Sequence, residues 1–195
     1  MEHRAKKSLG QNFLKNEGVI KKIRDAADPA GNDVILEIGP GKGALTGELL
    51  GFAGKVIAVE KDDELFAYLG ERFSEEISKG LFDLINGDIL ELDPEILRFY
   101  GSYKLIANIP YNITGAIVEK FLSAAFQPEM MVLMVQKEVA ERIVAKDRKT
   151  GGAGKESILS IAVKAYGIPS YICTVKAGSF VPAPSIDSAV IRISE

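Results

Sequence analysis

The chain has 195 residues, 47% apolar and 26% charged, the balance of a globular protein large enough for one α/β domain with a sizeable core. No apolar run approaches the roughly 20 residues of a membrane span, and the N-terminus lacks the apolar stretch of a signal peptide. A single cysteine (Cys173) excludes an internal disulfide, and with one histidine (His3) a structural zinc site is disfavoured. The expectation is a cytoplasmic monomer with no membrane partner and no metal.

Net charge is −3, but it is unevenly spread. Residues 1–24 hold seven Lys/Arg against two acids, and residues 137–176 hold eight against four. Residues 59–98 reverse this, with twelve acids against four bases. Basic ends around an acidic middle can present one positive face to phosphates. Ordinary solvated surface charge gives the same pattern.

Residues 16–27 (NEGVIKKIRDAA) read as a helix with Asn16 as its N-cap. Seven short, β-branched-rich segments then read as strands: 33–38, 55–60, 82–86, 103–107, 130–136, 170–176 and 188–193. Helix-compatible stretches lie at 42–51, 62–79, 94–100, 114–126, 136–147 and 156–167. Strand–helix alternation at this spacing predicts a parallel sheet covered on both faces. Only KAGSFVPAPSID joins the last two strands, too short for a crossover helix, so they are expected to be antiparallel. The fold class expected is therefore α/β: a seven-stranded, mostly parallel sheet with an antiparallel last strand and helices on both faces. Residues 1–30 form a basic segment and helix packed on a domain of residues 31–195.

The segment ILEIGPGKGALT (35–46) is a strand, a glycine-rich turn and a helix start. Gly39, Gly41 and Gly43 let backbone approach a ligand where a Cβ would collide, and the helix start offers free N–H groups. The same spacing fits a dinucleotide site, and a purely structural turn. Two acids narrow the choice. Glu60 ends the second strand, where it can accept from both ribose hydroxyls. Asp88 follows the third, where it can accept from an adenine amine with Ile89 beside the ring. Each acid alone also reads as a surface carboxylate at a strand end.

After the fourth strand comes Asn108-Ile109-Pro110-Tyr111. At the end of a central strand, this tetrapeptide resembles the catalytic motif of the KsgA/Dim1 family of rRNA adenine N6,N6-dimethyltransferases. SLGQNFL (8–14), EIGPGKGALT (37–46), QKEVAERI (136–143) and FVPAPSIDSAV (180–190) are similar to other motifs of that family, in the same order. The resemblance implies a Rossmann-like methyltransferase fold with S-adenosylmethionine as methyl donor. It implies that Asn12 and Leu14 flank the cofactor, and that Gly39, Glu60, Asp88 and Asn108 contact it. The target adenine would stack between Tyr111 and Phe180. The Asn108 side-chain oxygen and the Ile109 carbonyl can accept the two N6 hydrogens, while Pro110 fixes the turn and adds no competing N–H.

The implied substrate is rRNA in the small ribosomal subunit, dimethylated at two adjacent adenosines near its 3′ end. Two other readings are a large-subunit methyltransferase conferring macrolide resistance and a non-catalytic rRNA-binding assembly factor. A nicotinamide-dependent oxidoreductase is the alternative from another class. Most family members carry a further small helical domain, and the resemblance implies that residues 1–195 correspond to the catalytic domain alone. The glycine-rich stretch 147–157 is expected to be a mobile loop facing RNA.

Overall fold

The computed structural model describes residues 5–6, 9–145 and 158–194. The expected RNA-facing loop at 147–157 lies outside the described residues.

Seven strands form one sheet: β2 (Val34–Ile38), β3 (Lys55–Glu60), β4 (Phe82–Asn86), β5 (Tyr103–Asn108), β6 (Met130–Gln136), β7 (Ile168–Val175) and β9 (Ser188–Ser194). Their order is β4-β3-β2-β5-β6-β9-β7. All pairings are parallel except those of β9, which runs against both β6 and β7. The expected architecture is the one found. Two further strands, β1 (Phe13–Leu14) and β8 (Phe180–Val181), form a separate antiparallel pair.

A parallel strand covered on both faces must be apolar on both. Along β2, Leu36 and Ile38 enter one core with Ile57, Val59, Leu105 and Leu133, against Ile117, Val118 and Phe121 of α5 (Thr114–Leu122). Ile35 enters the other core with Val56, Ala58, Ile106 and Val132. That face is covered by α1 (Glu17–Ala27), α2 (Ala44–Leu50) and α3 (Asp63–Arg72) through Ile23, Leu49 and Leu69. Asn16 caps α1 by accepting from the Val19 N–H at 3.2 Å.

The helical stretch expected over 62–79 is divided at Phe73 into α3 and α4 (Ser74–Ser78). The Phe73 ring is buried edge-on against Phe82, with centroids 5.5 Å apart. Tertiary packing of this one ring overrides a composition that would run on as helix. Residues 94–100 form 3-10 turns opened by the Asp93 cap and Pro94. The last two helices are α6 (Lys137–Val144) and α7 (Ile158–Tyr166).

The strand order reverses between β2 and β5. From β2 the chain proceeds outward to β3 and β4, then returns to the other side of β2 as β5. A crevice opens at such a switch point beyond the carboxyl ends of the strands.

Candidate active site

Strand register brings the functional ends level. Ile38 pairs with Val59 and with Ala107, so Gly39, Glu60 and Asn108 each follow at the same height. Glu60 in turn pairs with Asn86, one residue before the Gly87–Asp88 turn. The cavity at this edge is lined by Gly39, Glu60, Gly87, Asp88 and Asn108, with residues 9–14 along one side. Asn12, Leu14, Gly39, Gly41, Glu60, Asp88, Ile89, Asn108, Ile109, Pro110, Tyr111 and Phe180 all line it.

Gly43 does not. It holds φ +74°, and a Cβ there would come within 2.6 Å of Phe73 and 2.8 Å of Leu69. Helix side chains fill the space a Cβ would need, so glycine at this position also serves packing. Gly39, at φ +65°, has no protein atom within 4 Å of a built Cβ, so its open side faces space.

Glu60 is held by backbone. Its Oε2 accepts from Gly41 N at 3.1 Å and its Oε1 from Asp62 N at 2.9 Å. Burial raises its pKa, and these backbone bonds partly offset the rise. The carboxylate is thus aimed before any ligand arrives, with lone pairs left over for hydroxyl donors. Asp88 accepts from Leu90 N at 2.9 Å and from Lys61 Nζ at 2.7 Å. The Lys61 bond, with the Leu90 N–H, holds its carboxyl below the usual range against a smaller effect of burial. An amine reaching Asp88 meets a carboxylate whose Oδ1 already accepts from Leu90 N and whose Oδ2 accepts from an exposed lysine.

A third acid escaped the sequence reading. Glu37 is 2% exposed, lines the cavity, and its Oε2 has no hydrogen-bond partner. Burial pushes its carboxyl up to about 8, with Thr46 opposing and the charge of Glu60 adding. Its signal was an acid inside a strand whose other residues are all apolar, two positions before the glycine turn.

The Asn108–Tyr111 turn leaves β5 under restraint. Asn108 Nδ2 donates to the Asn12 carbonyl at 3.2 Å, which leaves its Oδ1 for an acceptor role. Ile109 N donates to Met134 O at 3.2 Å, and Pro110 O receives Ile113 N at 3.1 Å. Tyr111 then opens a 3-10 turn that leads into α5. Phe180 reaches the cavity from β8, where it pairs with Leu14.

The residue 9–14 wall is latched as well as paired. Asp62 accepts from Lys6 Nζ at 2.7 Å and from Gln11 Nε2 at 2.8 Å, and also caps α3 through Glu64 N. Burial would raise the Asp62 pKa, but the Lys6 and Gln11 bonds together hold it low. Neither Lys6 nor Gln11 stood out in the sequence. Among the described residues no cluster of metal-ligating side chains occurs, and no helix is long and apolar enough to cross a membrane.

Comparison with known proteins agrees with the architecture. A dimethyladenosine transferase from Plasmodium falciparum matches with TM-score 0.78 and 32% identity, over 93% of this chain and 62% of that one. A 23S rRNA methyltransferase, ErmE, matches with TM-score 0.79 and 30% identity, over 94% and 70%. The fold is that of the Rossmann-like methyltransferases. A family model for ribosomal RNA adenine dimethylase matches residues 2–195, and the chain belongs to that family. Ribosomal RNA small subunit methyltransferase A of Dehalococcoides mccartyi (strain CBDB1) is 50% identical over 193 residues, 97% of this chain. The chain spans 62% of the length of that relative.

Proposed function

We propose that the chain is the catalytic unit of an S-adenosylmethionine-dependent methyltransferase. Its reaction is dimethylation of N6 on adenosines of small-subunit ribosomal RNA, at two adjacent residues near the 3′ end. One observation carries this reading. The Asn108–Tyr111 turn and Phe180 share a single cavity with Gly39, Glu60 and Asp88.

The residues fit the cofactor. The open side of Gly39 gives room for close approach of the methionine part. The buried Glu37 carboxyl lines the cavity with its Oε2 unpartnered, and the positive charge of a bound ammonium or sulfonium would favour loss of its proton. Glu60 would hold the ribose hydroxyls, and Asp88 with Ile89 the adenine. When bound, the cofactor supplies a methyl group already activated for transfer, so the chain has mainly to position the acceptor.

Adenine N6 is a weak nucleophile because its lone pair is delocalised into the ring. Asn108 Oδ1 and the Ile109 carbonyl accept its two hydrogens and favour a more tetrahedral nitrogen. Tyr111 and Phe180 offset the cost of unstacking the base from RNA, base–aromatic stacking being worth about 1–3 kcal/mol. The choice of small subunit is supported by the name of the 50% identical relative.

The test uses tritiated cofactor with under-methylated small and large ribosomal subunits in parallel. Label in small-subunit RNA alone is expected. Label confined to the large subunit would replace this substrate with the one in the ErmE name. Binding of RNA without label, in a protein that binds S-adenosylhomocysteine, would leave an assembly factor.

A further inference from the structure

Tyr111 makes a contact that the chemistry above does not use. Its phenol oxygen lies 2.8 Å from Ser188 Oγ, across 77 residues of sequence. Ser188 opens β9, is fully buried, and faces Gln136 of β6 and Val175 of β7 across the sheet. The next three residues of β9, Ala189, Val190 and Ile191, are buried and apolar. An alanine would satisfy that surrounding equally well. The hydroxyl is explained only by its partner, since a buried serine oxygen left unpaired is costly, whereas the half-buried Tyr111 phenol can turn to water instead.

The bond acts on the two degrees of freedom that the Tyr111 backbone leaves open. Pro110 and the following 3-10 turn fix where the ring starts. Rotation about χ1 and χ2 then decides which way its face points. A hydrogen bond at the far end of the ring restrains both. The anchor itself is firm, because the residue before Ser188 is held three ways. Asp187 accepts from Ala177 N at 3.1 Å and from Lys176 Nζ at 2.8 Å, while its carbonyl receives Lys137 N at 3.1 Å. The same link runs back to Phe180, eight residues upstream of Ser188, so one segment carries the second aromatic wall and the tether of the first.

We propose that Ser188 is a positioning residue that sets the plane of the Tyr111 ring for stacking on the target base, without itself touching substrate. This rests on the stacking role proposed for Tyr111. Ser188→Ala is expected to keep the thermal midpoint and the S-adenosylhomocysteine affinity seen by calorimetry. It should lower kcat/KM toward under-methylated small subunits by about 2- to 12-fold, the value of one ordinary hydrogen bond. Tyr111→Phe keeps the ring and loses the same bond, so it should show the same loss. The double variant should be no worse than either single one, because both remove one interaction. Ser188→Thr, which keeps a hydroxyl, should recover most of the activity.

Undiminished kcat/KM in Ser188→Ala would overturn the proposal, as would single losses that multiply in the double variant. A parallel fall in thermal midpoint and cofactor affinity would also overturn it, by making Ser188 merely structural. Tyr111→Ala separates the two layers. If it is slow while Ser188→Ala is normal, only the tether fails; if it too is normal, the stacking role fails and takes the tether with it.

Discussion

Gly39 and Gly43 have the same left-handed backbone and should fail in opposite ways when replaced by alanine. At either site the side chain costs roughly 1–2 kcal/mol for adopting φ near +65° to +74°. At Gly43 the new Cβ also meets Phe73 at 2.6 Å and Leu69 at 2.8 Å. Neither can retreat easily, because Leu69 is fully buried and Phe73 is wedged against Phe82. Overpacking of this kind adds about 1–3 kcal/mol, for a total of about 2–5 kcal/mol. In a domain of this size that lowers Tm by roughly 4–20 °C. At Gly39 nothing lies within 4 Å, so only the backbone cost applies and Tm should fall by roughly 2–8 °C. The Gly39 Cβ would instead enter the cavity and weaken S-adenosylhomocysteine by about tenfold or more, a loss typical of a ligand contact pushed out of place. Differential scanning calorimetry and isothermal titration measure the two quantities on the same samples. The reasoning is refuted if Gly43→Ala melts with the parent protein, or if Gly39→Ala binds with parental affinity.

Three other outcomes follow from the same geometry. The Glu37 carboxyl keeps its proton in the folded protein up to about 8, against 4.5 for the free group. Folding therefore takes up a proton between those values, and stability falls as pH rises through that window, at up to about 1.4 kcal/mol per pH unit. Glu37→Gln should flatten this slope in urea titrations at pH 5 and pH 8; an unchanged slope would place the titrating group elsewhere. Asp62→Asn removes the charge that latches Lys6 while leaving an acceptor for the α3 cap. Amide exchange through residues 9–14 should quicken and S-adenosylhomocysteine affinity drop, with the exchange of α3 unchanged, and equal acceleration in both would show a general loosening instead. Tyr111→Ala should cut kcat/KM by roughly 5- to 150-fold, the equivalent of one base–aromatic stack, with calorimetric cofactor affinity preserved. Equal loss of cofactor binding would show that Tyr111 holds the cofactor and not the base.

What the chain discloses in its sequence follows the range of the interactions involved. β3 and β6 fall where their β-branched and apolar runs lie, since the middle of a strand covered on both faces must be largely apolar. The antiparallel β9 was legible because the twelve-residue link from 176 to 187, broken by two prolines, leaves no room for a crossover helix. The Asn16 cap was legible because it acts three residues away. The features that escaped are non-local. The β1–β8 pair joins residue 13 to residue 181 over two residues a side, which leaves no periodicity to find. The Lys6–Asp62 latch and the Ser188–Tyr111 contact span 56 and 77 residues. Gly43 shows the limit from the other side: its spacing fits a ligand turn, and only the neighbouring helix reveals that Phe73 fills the space its Cβ would need.

The central claim is that the Asn108–Tyr111 turn presents adenine N6 to a methyl donor. Mass-resolved nucleoside digestion of small-subunit RNA, after incubation with S-adenosylmethionine and the parent chain or its Asn108→Ala variant, tests it most directly. The parent should yield N6,N6-dimethyladenosine, and the variant little or none even at S-adenosylmethionine concentrations that saturate its weakened cofactor site. Methylation at any other position of the base, or an undiminished yield from a variant lacking the Asn108 oxygen, would contradict the account.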